Sequence, residues 1–534
     1  MDYFSHPLVQ FRAVEARDYQ VTIAKAAAAK NTLCVLPTGT GKTAIAIMVA
    51  AERMELFPGS RVMIVAPTRP LAEQHQRSFQ KMLDIPPKEI MLMTGKVPPD
   101  VRRAYYCNAR VVCATPQTIQ QDLLNGRLKL TDYSLIIVDE VHRAVKKYAY
   151  PFVARKYMEQ SLHPRILGLT ASPGSDKTKI NEICKNLGIE HVEIRTETDS
   201  DMKDYVQETR TEVIEVELTD EMKEAQRNLH LALHDSMERL KKLQVNAHNK
   251  RELIEAQQSL QKRLLQNEKS PIMYHQISAI AETIKIGYIL ELLETQSLAA
   301  TVKYIEGMGT ASKAAKRILS DLRIKLAWEQ IKKIKDEGNE HPKMERLLQL
   351  VKDEIAANKN VQIIIFSHYR SNIAQIWRML KGLNGCMPVI LIGQGGETGM
   401  SQKEQIEIIK DYDSGVFNTL ITSPIGEEGL HMASADIAIF YEPVSSEIRT
   451  IQRRGRVGRT KLGRIIVLLT IDTRDEANFY IARKKEHKMK EILKGMQDRP
   501  AQDTTMQDTT IQDAMSGIHQ KDGEKKNLLD FTEK

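Results

Sequence analysis

An α/β fold, two parallel-sheet lobes with an all-helical domain between them, is what this sequence predicts, and three observations predict it. Short apolar, β-branched runs alternate with helix-length segments in two separate stretches, the pattern of parallel strands wrapped by helices. Between those stretches, residues 189–270 hold neither glycine nor proline and are rich in Glu, Lys, Leu, Gln and Met, a composition that favours helix. Finally, 534 residues are too many for a single hydrophobic core, so two or three domains are expected.

Taken in order, the first lobe has candidate strands at "LCVL" (33–36), "VMIVA" (62–66), "VVCA" (111–114), "LIIVDE" (135–140) and "ILGLT" (166–170). The helical domain follows. After Pro271 the apolar residues Ile277, Ile280, Ile284, Tyr288 and Leu292 recur at three- and four-residue steps, which predicts one buried face of a long helix. The second lobe has "VQIIIF" (361–366), "PVILI" (388–392), "TLIT" (419–422), "IAIF" (437–440) and "IIVLL" (465–469). Domain boundaries are placed at 1–204, 205–340, 341–495 and 496–534. The last of these repeats "QDTT" and is polar and charged throughout, so it is expected to be disordered.

Composition excludes several classes. No apolar run reaches the roughly 18–20 residues of a membrane span, and "MDYFSHPLVQFR" lacks the basic start and apolar centre of a secretory signal. A cytoplasmic protein is the expectation. Five scattered cysteines without a CxxC pair read as reduced structural thiols rather than a metal site. The formal net charge of +8 is modest for this length and only tilts the reading toward a polyanionic partner.

The chemistry begins at "VLPTGTGKTAIAIMVA" (35–50), where a buried strand turns through two glycines into a helix. Such a turn wraps its N–H groups around phosphates, and the helix N-terminus adds favourable partial charge. Pro37, Thr38, Gly39, Thr40 and Gly41 would form the cradle, Lys42 would reach the outer phosphates of ATP, and Thr43 would hold Mg²⁺. The strict pattern wants glycine at 36, where Leu36 stands. "LIIVDEVH" (135–142) supplies the rest of the site: Asp139 at a strand end can meet the metal, and Glu140 can polarise the attacking water. An acidic pair at a strand end is common by itself; with the loop at 37–43 it marks a hydrolytic site. One helix upstream, "EARDYQ" (15–20) offers Gln20 for the adenine edge and Arg17 to stack or support it.

The second lobe carries "QRRGRVGR" (452–459), with Gln452, Arg453, Arg454, Arg456 and Arg459 in eight residues. Basic clusters are usually solvated or phosphate-binding faces. Presented across an interdomain cleft, however, Arg456 and Arg459 can stabilise a transferring phosphoryl group, an effect of roughly 10³ to 10⁵ in rate. ATP would then be bound by one lobe and hydrolysed when the other closes on it.

With these motifs in place the chain resembles a superfamily 2 helicase. The match is colinear over about residues 10–495, through "RDYQ", "PTGTGKT", "APTRPLAEQH", "MTGK", "ATPQTI", "VDEVHRA", "LTASP", "IIIFSHYR", "TSPIGEEGL" and "QRRGRVGR". More narrowly, "DEVHRA", the helical insert, "HPKMERL", "GEEGL" and "FYEPVSSEIRTIQRRGRVGR" are similar to the archaeal Hef and Fanconi anaemia M branch. The resemblance implies two RecA-like domains and DNA translocation, 3′ to 5′, on forked or branched DNA in replication-fork repair. It implies that Thr68, Arg69, Thr94, Gly95 and Thr115 in lobe one, and Ser367, Arg370 and Thr422 in lobe two, touch one nucleic-acid strand. It also implies that His142, Thr170 and Ser172 couple hydrolysis to lobe movement, and that Gly426 lies near the nucleotide. Hydroxyls and helix N-termini suit sequence-independent phosphate contacts.

Two departures stand out. His431 follows "GEEGL" where the family usually has an acidic residue for the nucleotide sugar, and the "ERK" nuclease signature of Hef-like proteins is missing from the sequence. In the insert, Lys241, Lys242, Lys250, Arg251, Lys262 and Arg263 offer either a grip on branched DNA or the wet side of a helical hairpin. Two other readings stay open: an ATPase stimulated by double-stranded RNA, of the Dicer-like type, and a catalytically inactive helicase-fold scaffold. The terminal "LLDF" (528–531) offers a docking peptide for a nuclease or sliding clamp, on a four-residue match that carries little information.

Overall fold

The computed structural model describes residues 2–146, 148–197, 199–202, 205, 210–266, 270–309, 312–395, 399–423, 435–443 and 463–497. Lobe one is built on an all-parallel sheet of β1 (Thr32–Val35), β2 (Arg61–Val65), β3 (Ile90–Met93), β4 (Val111–Ala114), β5 (Tyr133–Asp139), β6 (Ile166–Thr170) and β7 (His191–Ile194), in the order β3-β4-β2-β5-β6-β1-β7. Its central strands are apolar because helices cover both faces; all seven residues of β5 are buried. On one face pack α1 (Asp18–Ala29), α2 (Lys42–Leu56) and α3 (Arg69–Met82). The other carries α4 (Pro99–Asn108), α5 (Pro116–Leu124), α6 (Ala149–Gln160) and α7 (Lys177–Leu187). Helix α2 is apolar nearly all round, with 45–51 fully buried, so the start of that helix is held firmly against the sheet.

Lobe two repeats the plan. Strands β9 (Ile363–Phe366), β10 (Pro388–Leu391), β11 (Thr419–Thr422), β12 (Ile437–Phe440) and β13 (Arg464–Thr470) are parallel, and the sheet order is β10-β11-β9-β12-β13-β8. The last strand, β8 (Arg210–Val216), is contributed from before the insert and pairs with β13 along its whole length. The helices of this lobe are α14 (Pro342–Ala357), α15 (Arg370–Leu380), α16 (Gln402–Asp413) and α17 (Arg474–Gln497).

The expectation of helix throughout 189–270 is therefore corrected at β7 and β8. Strand β8 reads "RTEVIEV", with its charged residues at the exposed and half-exposed positions of an edge strand, and that alternation protects a sheet edge while hiding its apolar signal. Strand β3, "IMLM", was not predicted either; two methionines and one leucine among four residues carry little β signature.

The insert proper is helical: α8 (Asp220–Lys242), α9 (Lys250–Leu265), α10 (Pro271–Thr295), α11 (Leu298–Glu306), α12 (Lys313–Ser320) and α13 (Leu322–Asp336). Helix α10 is its axle, packed by α8, α9, α11 and α12. Its buried stripe runs through Ala279, Thr283, Ile286, Leu290 and Leu293, rotated from the predicted one; Ile277, Ile284 and Tyr288 are only half-buried. Amphipathic periodicity finds a face only where a helix has a single wet side, and this one has neighbours on several.

Helix α17 ties the lobes together. Phe479 near its start packs into the core of lobe two, whereas Met489 and Leu493 two to four turns on pack into the core of lobe one. No helix among the described residues is long and apolar enough to cross a membrane.

Candidate active site

In a parallel α/β sheet, ligands bind beyond the carboxyl ends of the strands. At that edge of lobe one, register places Val35 beside Thr170 and Asp139 beside Leu169, so the loops after β1, β5 and β6 converge. The loop after β1 turns through Gly39 (φ 83°) and Gly41 (φ 86°), left-handed values that favour glycine. At Gly41 space is a second reason, because a Cβ there would sit 2.2 Å from Gln20 Nε2.

Lys42 Nζ donates to the main-chain carbonyls of Leu36 (2.9 Å) and Pro37 (3.1 Å). These are neutral acceptors, which a phosphate charge outcompetes. Two residues of α1 brace the loop: Tyr19 Oη donates to Thr40 O at 2.5 Å and Gln20 Nε2 to the same oxygen at 3.1 Å. Gln20 was expected both to donate to and to accept from adenine. Here its amino group is spent on the loop, and its buried Oε1 has no hydrogen-bond partner among the described residues. An unpartnered buried acceptor beside a phosphate-type loop fits an adenine exocyclic amine. Arg17 is bonded to Glu15 at 2.9 Å and lies over the ring of Tyr205, 5.0 Å from its centroid. Tyr205 is a residue the sequence did not single out.

Asp139 closes β5 and is 8% exposed. Its Oδ2 lies 2.9 Å from His75 Nε2, and its Oδ1 accepts from the Glu140 N–H at 3.0 Å. Burial alone would push this carboxyl up; His75, the Lys42 charge and the Glu140 N–H outweigh it and hold the carboxyl below the usual aspartate range. Glu140 occupies the left-handed region (φ 51°), a strained backbone for a non-glycine residue and common at functional sites. Its Oε2 lies 3.2 Å from His142 Nδ1. Thr170 and Ser172 form a closed turn, with Thr170 Oγ1 donating to Ser172 O (3.0 Å) and accepting from Ser172 N (3.1 Å). Ser172 Oγ then meets Met489 Sδ of α17 at 2.9 Å, so this turn touches the helix that arrives from lobe two.

The residues expected to follow a nucleic-acid strand lie after neighbouring strands. Thr94 and Gly95 follow β3, Thr115 follows β4 at the N-cap position of α5, and Thr68 follows β2 at the N-cap position of α3, neither with a side-chain capping bond. Those three strands are adjacent, so the loops form one continuous row beside Asp139. Lobe two repeats the row with Thr422 on β11 and Ser367 and Arg370 after β9. The side chains differ in availability. Ser367 and Thr422 are fully buried: Ser367 Oγ donates to Glu442 Oε1 (3.2 Å) and Thr422 Oγ1 to Ser423 O (3.1 Å). Thr94 is buried as well. The Ser367 and Thr422 hydroxyls shape their loops, while Thr68, Arg69, Gly95, Thr115 and Arg370 are at least partly open to solvent as residues, although the Thr68 hydroxyl oxygen itself is buried.

Gly426, His431, Gln452, Arg456 and Arg459 lie outside the described residues. Of the cations noted in the insert, Lys241 pairs with Glu238 (2.5 Å), Lys250 with Glu291 (2.9 Å) and Arg251 with Glu255 (2.8 Å). Sequence reasoning passed over His75 although it ends the block "APTRPLAEQH"; a histidine whose partner is 64 residues away leaves no local signal.

Comparison with known proteins agrees with this geometry. Residues 17–180 match the family described as DEAD/DEAH box helicase, and 342–461 match the helicase conserved C-terminal domain. Residues 221–338 match the family described as "Putative ATP-dependent RNA helicase, helical bundle". The chain is 40% identical over 501 residues to the "Putative ATP-dependent RNA helicase MJ1505" of Methanocaldococcus jannaschii, covering 92% of this chain and 63% of that protein. It is 32% identical over 481 residues to the ATP-dependent DNA helicase mph1 of Neurospora crassa, covering 85% of this chain and 41% of that one. It thus spans less than two thirds of the length of either relative. Among solved structures, the helicase domain of Pyrococcus furiosus Hef superposes with a TM-score of 0.69 at 39% identity, covering 87% of this chain and 97% of that domain.

Proposed function

Because the chain belongs to the superfamily 2 helicases of the Hef and Fanconi anaemia M type, we propose that it is an ATP-driven motor that tracks along DNA and acts on forked or branched substrates in replication-fork repair. One observation carries the reading: the phosphate loop, the Asp139–Glu140 pair and the threonine-capped loops share one edge of one sheet, and α17 links that lobe to the other.

Bound Mg²⁺ and ATP supply the scissile phosphoanhydride and the metal charge that steadies the transferring phosphoryl group. The chain does the rest. Lys42 exchanges the Leu36 and Pro37 carbonyls for phosphate oxygens, Gln20 Oε1 accepts from adenine, and Arg17 flanks the base. Thr43 and Asp139 hold the metal, and Glu140 orients the water. The resemblance assigns Gln452, Arg456 and Arg459 to the completion of the site and Gly426 to the nucleotide; all four lie outside the described residues. His142 and the Thr170–Ser172 turn pass lobe movement to the site, the turn through its contact with Met489. Thr68, Arg69, Thr94, Gly95 and Thr115 grip the strand in lobe one, and Ser367, Arg370 and Thr422 in lobe two; where a hydroxyl is buried, the loop it shapes makes the contact.

A second reading is favoured by the RNA helicase descriptions attached to one relative and to the helical-bundle family: the same motor stimulated by double-stranded RNA. Groove shape and sugar contacts decide between them. ATPase titrations with single-stranded, duplex, forked and four-way DNA, and with double-stranded RNA, at stated salt, test both. Strongest stimulation by forked or four-way DNA is expected; stimulation by RNA alone would overturn the DNA reading, and no hydrolysis with any of them would leave a scaffold.

A further inference from the structure

Helix α3 faces two sites at once. Its N-cap is Thr68 and its first residue Arg69, and six residues after Arg69 its buried His75 reaches Asp139. The carboxylate can only accept a hydrogen bond, so His75 Nε2 carries the proton and donates. Among the described residues His75 Nδ1 has no hydrogen-bond partner, which leaves the bond to Asp139 as the ring's polar tie there. With Oδ2 held by His75 and Oδ1 by the Glu140 N–H, both oxygens are fixed in direction, and each retains a second lone pair for a metal.

We propose that His75 is the positioning residue of the metal site: it sets the Asp139 carboxylate in the orientation that receives Mg²⁺ and makes α3 a rigid tie between that carboxylate and the loop at Thr68 and Arg69. The second half rests on the reading of that loop as a nucleic-acid contact. Outer partners of metal-binding carboxylates typically contribute about 10- to 100-fold in metal affinity or activity. A packing role predicts no such dependence on the metal.

The test is a Mg²⁺ titration of the binding of a fluorescent, non-hydrolysable ATP analogue to the whole chain, with binding in EDTA and thermal unfolding as controls. For His75→Ala the Mg²⁺ midpoint is expected to rise about 10- to 100-fold, while affinity in EDTA stays within about twofold. His75→Gln, whose Nε2–H can take the place of the ring donor, should recover most of the loss. If His75→Ala does not fold, His75→Met fills the space without a donor and takes its place. An unchanged Mg²⁺ midpoint in a less stable variant would overturn the proposal in favour of packing, as would an equal loss of affinity in EDTA. The strand half is read separately, from nucleic-acid stimulation of the ATPase. If the wild type is not stimulated while the Mg²⁺ midpoint still shifts, the reading of the loop fails and the positioning role stands. If the wild type is stimulated and the midpoint does not move, only the positioning role fails.

Discussion

The nucleotide edge of lobe one and the seam between the helical insert and lobe two both bury charged groups, and they use them differently. At the candidate nucleotide edge Lys42 donates to two main-chain carbonyls, and Gln20 Oε1 has no hydrogen-bond partner among the described residues. At the seam, wholly buried Lys343 pairs with Asp475 of the same lobe, lies 5.0 Å from the Tyr441 ring centroid and donates across to Thr295 O of the insert (3.3 Å). Beside it, Arg474 meets Glu291 of the insert at 3.3 Å and Tyr369 Oη donates to the same Glu291. Charges answered within the protein make a lasting joint, and these cross-seam bonds fasten the insert to lobe two. Groups resting on neutral carbonyls can be recruited by a ligand at low cost.

That contrast can be broken most severely at the joint. Lys343→Ala strands a buried carboxylate, and a loss of about 3–5 kcal/mol is expected. The measurement is chemical denaturation as a function of pH: burial pushes the Asp475 carboxyl up to about 7 even beside Lys343, and loss of the amine pushes it further, so the deficit of the variant should grow as pH rises. Lys343→Met combined with Asp475→Leu should restore most of the loss, since removing both charges removes the imbalance; a double variant as unstable as the single one would show that the joint is more than a charge pair.

Next in size is the nucleotide edge itself. Lys42→Ala should cut kcat for ATP by roughly 10²- to 10³-fold, as loss of one transition-state donor does, with a much smaller change in melting temperature than Lys343→Ala because Lys42 is only half-buried. A large drop in stability would mean that the amine is structural, like Lys343. Gly41→Ala forces a left-handed alanine, at about 1–2 kcal/mol, and pushes its Cβ into Gln20. Weaker nucleotide binding is expected by calorimetry, along with a small stability loss.

The smallest effect near neutral pH belongs to His341, the N-cap of α14, whose Nδ1 accepts from the Lys343 N–H. Burial, with Lys343 close by, pushes its imidazole down to about 3. The unfolded chain, with an imidazole near about 6.5, takes up the proton first. This contribution to stability is complete above about pH 6.5 and is lost as pH falls toward about 3, at up to about 1.4 kcal/mol per unit. His341→Asn keeps a capping acceptor without the titration, so its acid limb in pH-dependent unfolding should be shallower than that of the wild type.

Much of the candidate site could be read because its parts are contiguous. Thr38 through Gly41 sit between an apolar strand and a helix that begins at Lys42, and Asp139–Glu140 lie at the end of another strand. The roles proposed for them follow from residue type and from the element they flank. His75, Tyr205 and Glu442 were not legible, since each acts on a partner far away in sequence: His75 on Asp139, Tyr205 beneath Arg17, and Glu442 on Ser367. The burial of hydroxyls was hidden for the same reason. Ser367 and Thr422 look like surface contacts in their motifs, yet their oxygens are turned into the protein.

By itself the sequence determined the alternation of strands and helices, the glycines that open the phosphate loop and the carboxylates beside it, because these depend on neighbours within a few residues of each other. Only the tertiary structure decided that β8 joins the second sheet, that α17 enters the core of both lobes, and that His75 holds Asp139. Those choices are made by edge pairing, shared cores and hydrogen bonds between distant segments, and such contacts come into being when the chain packs.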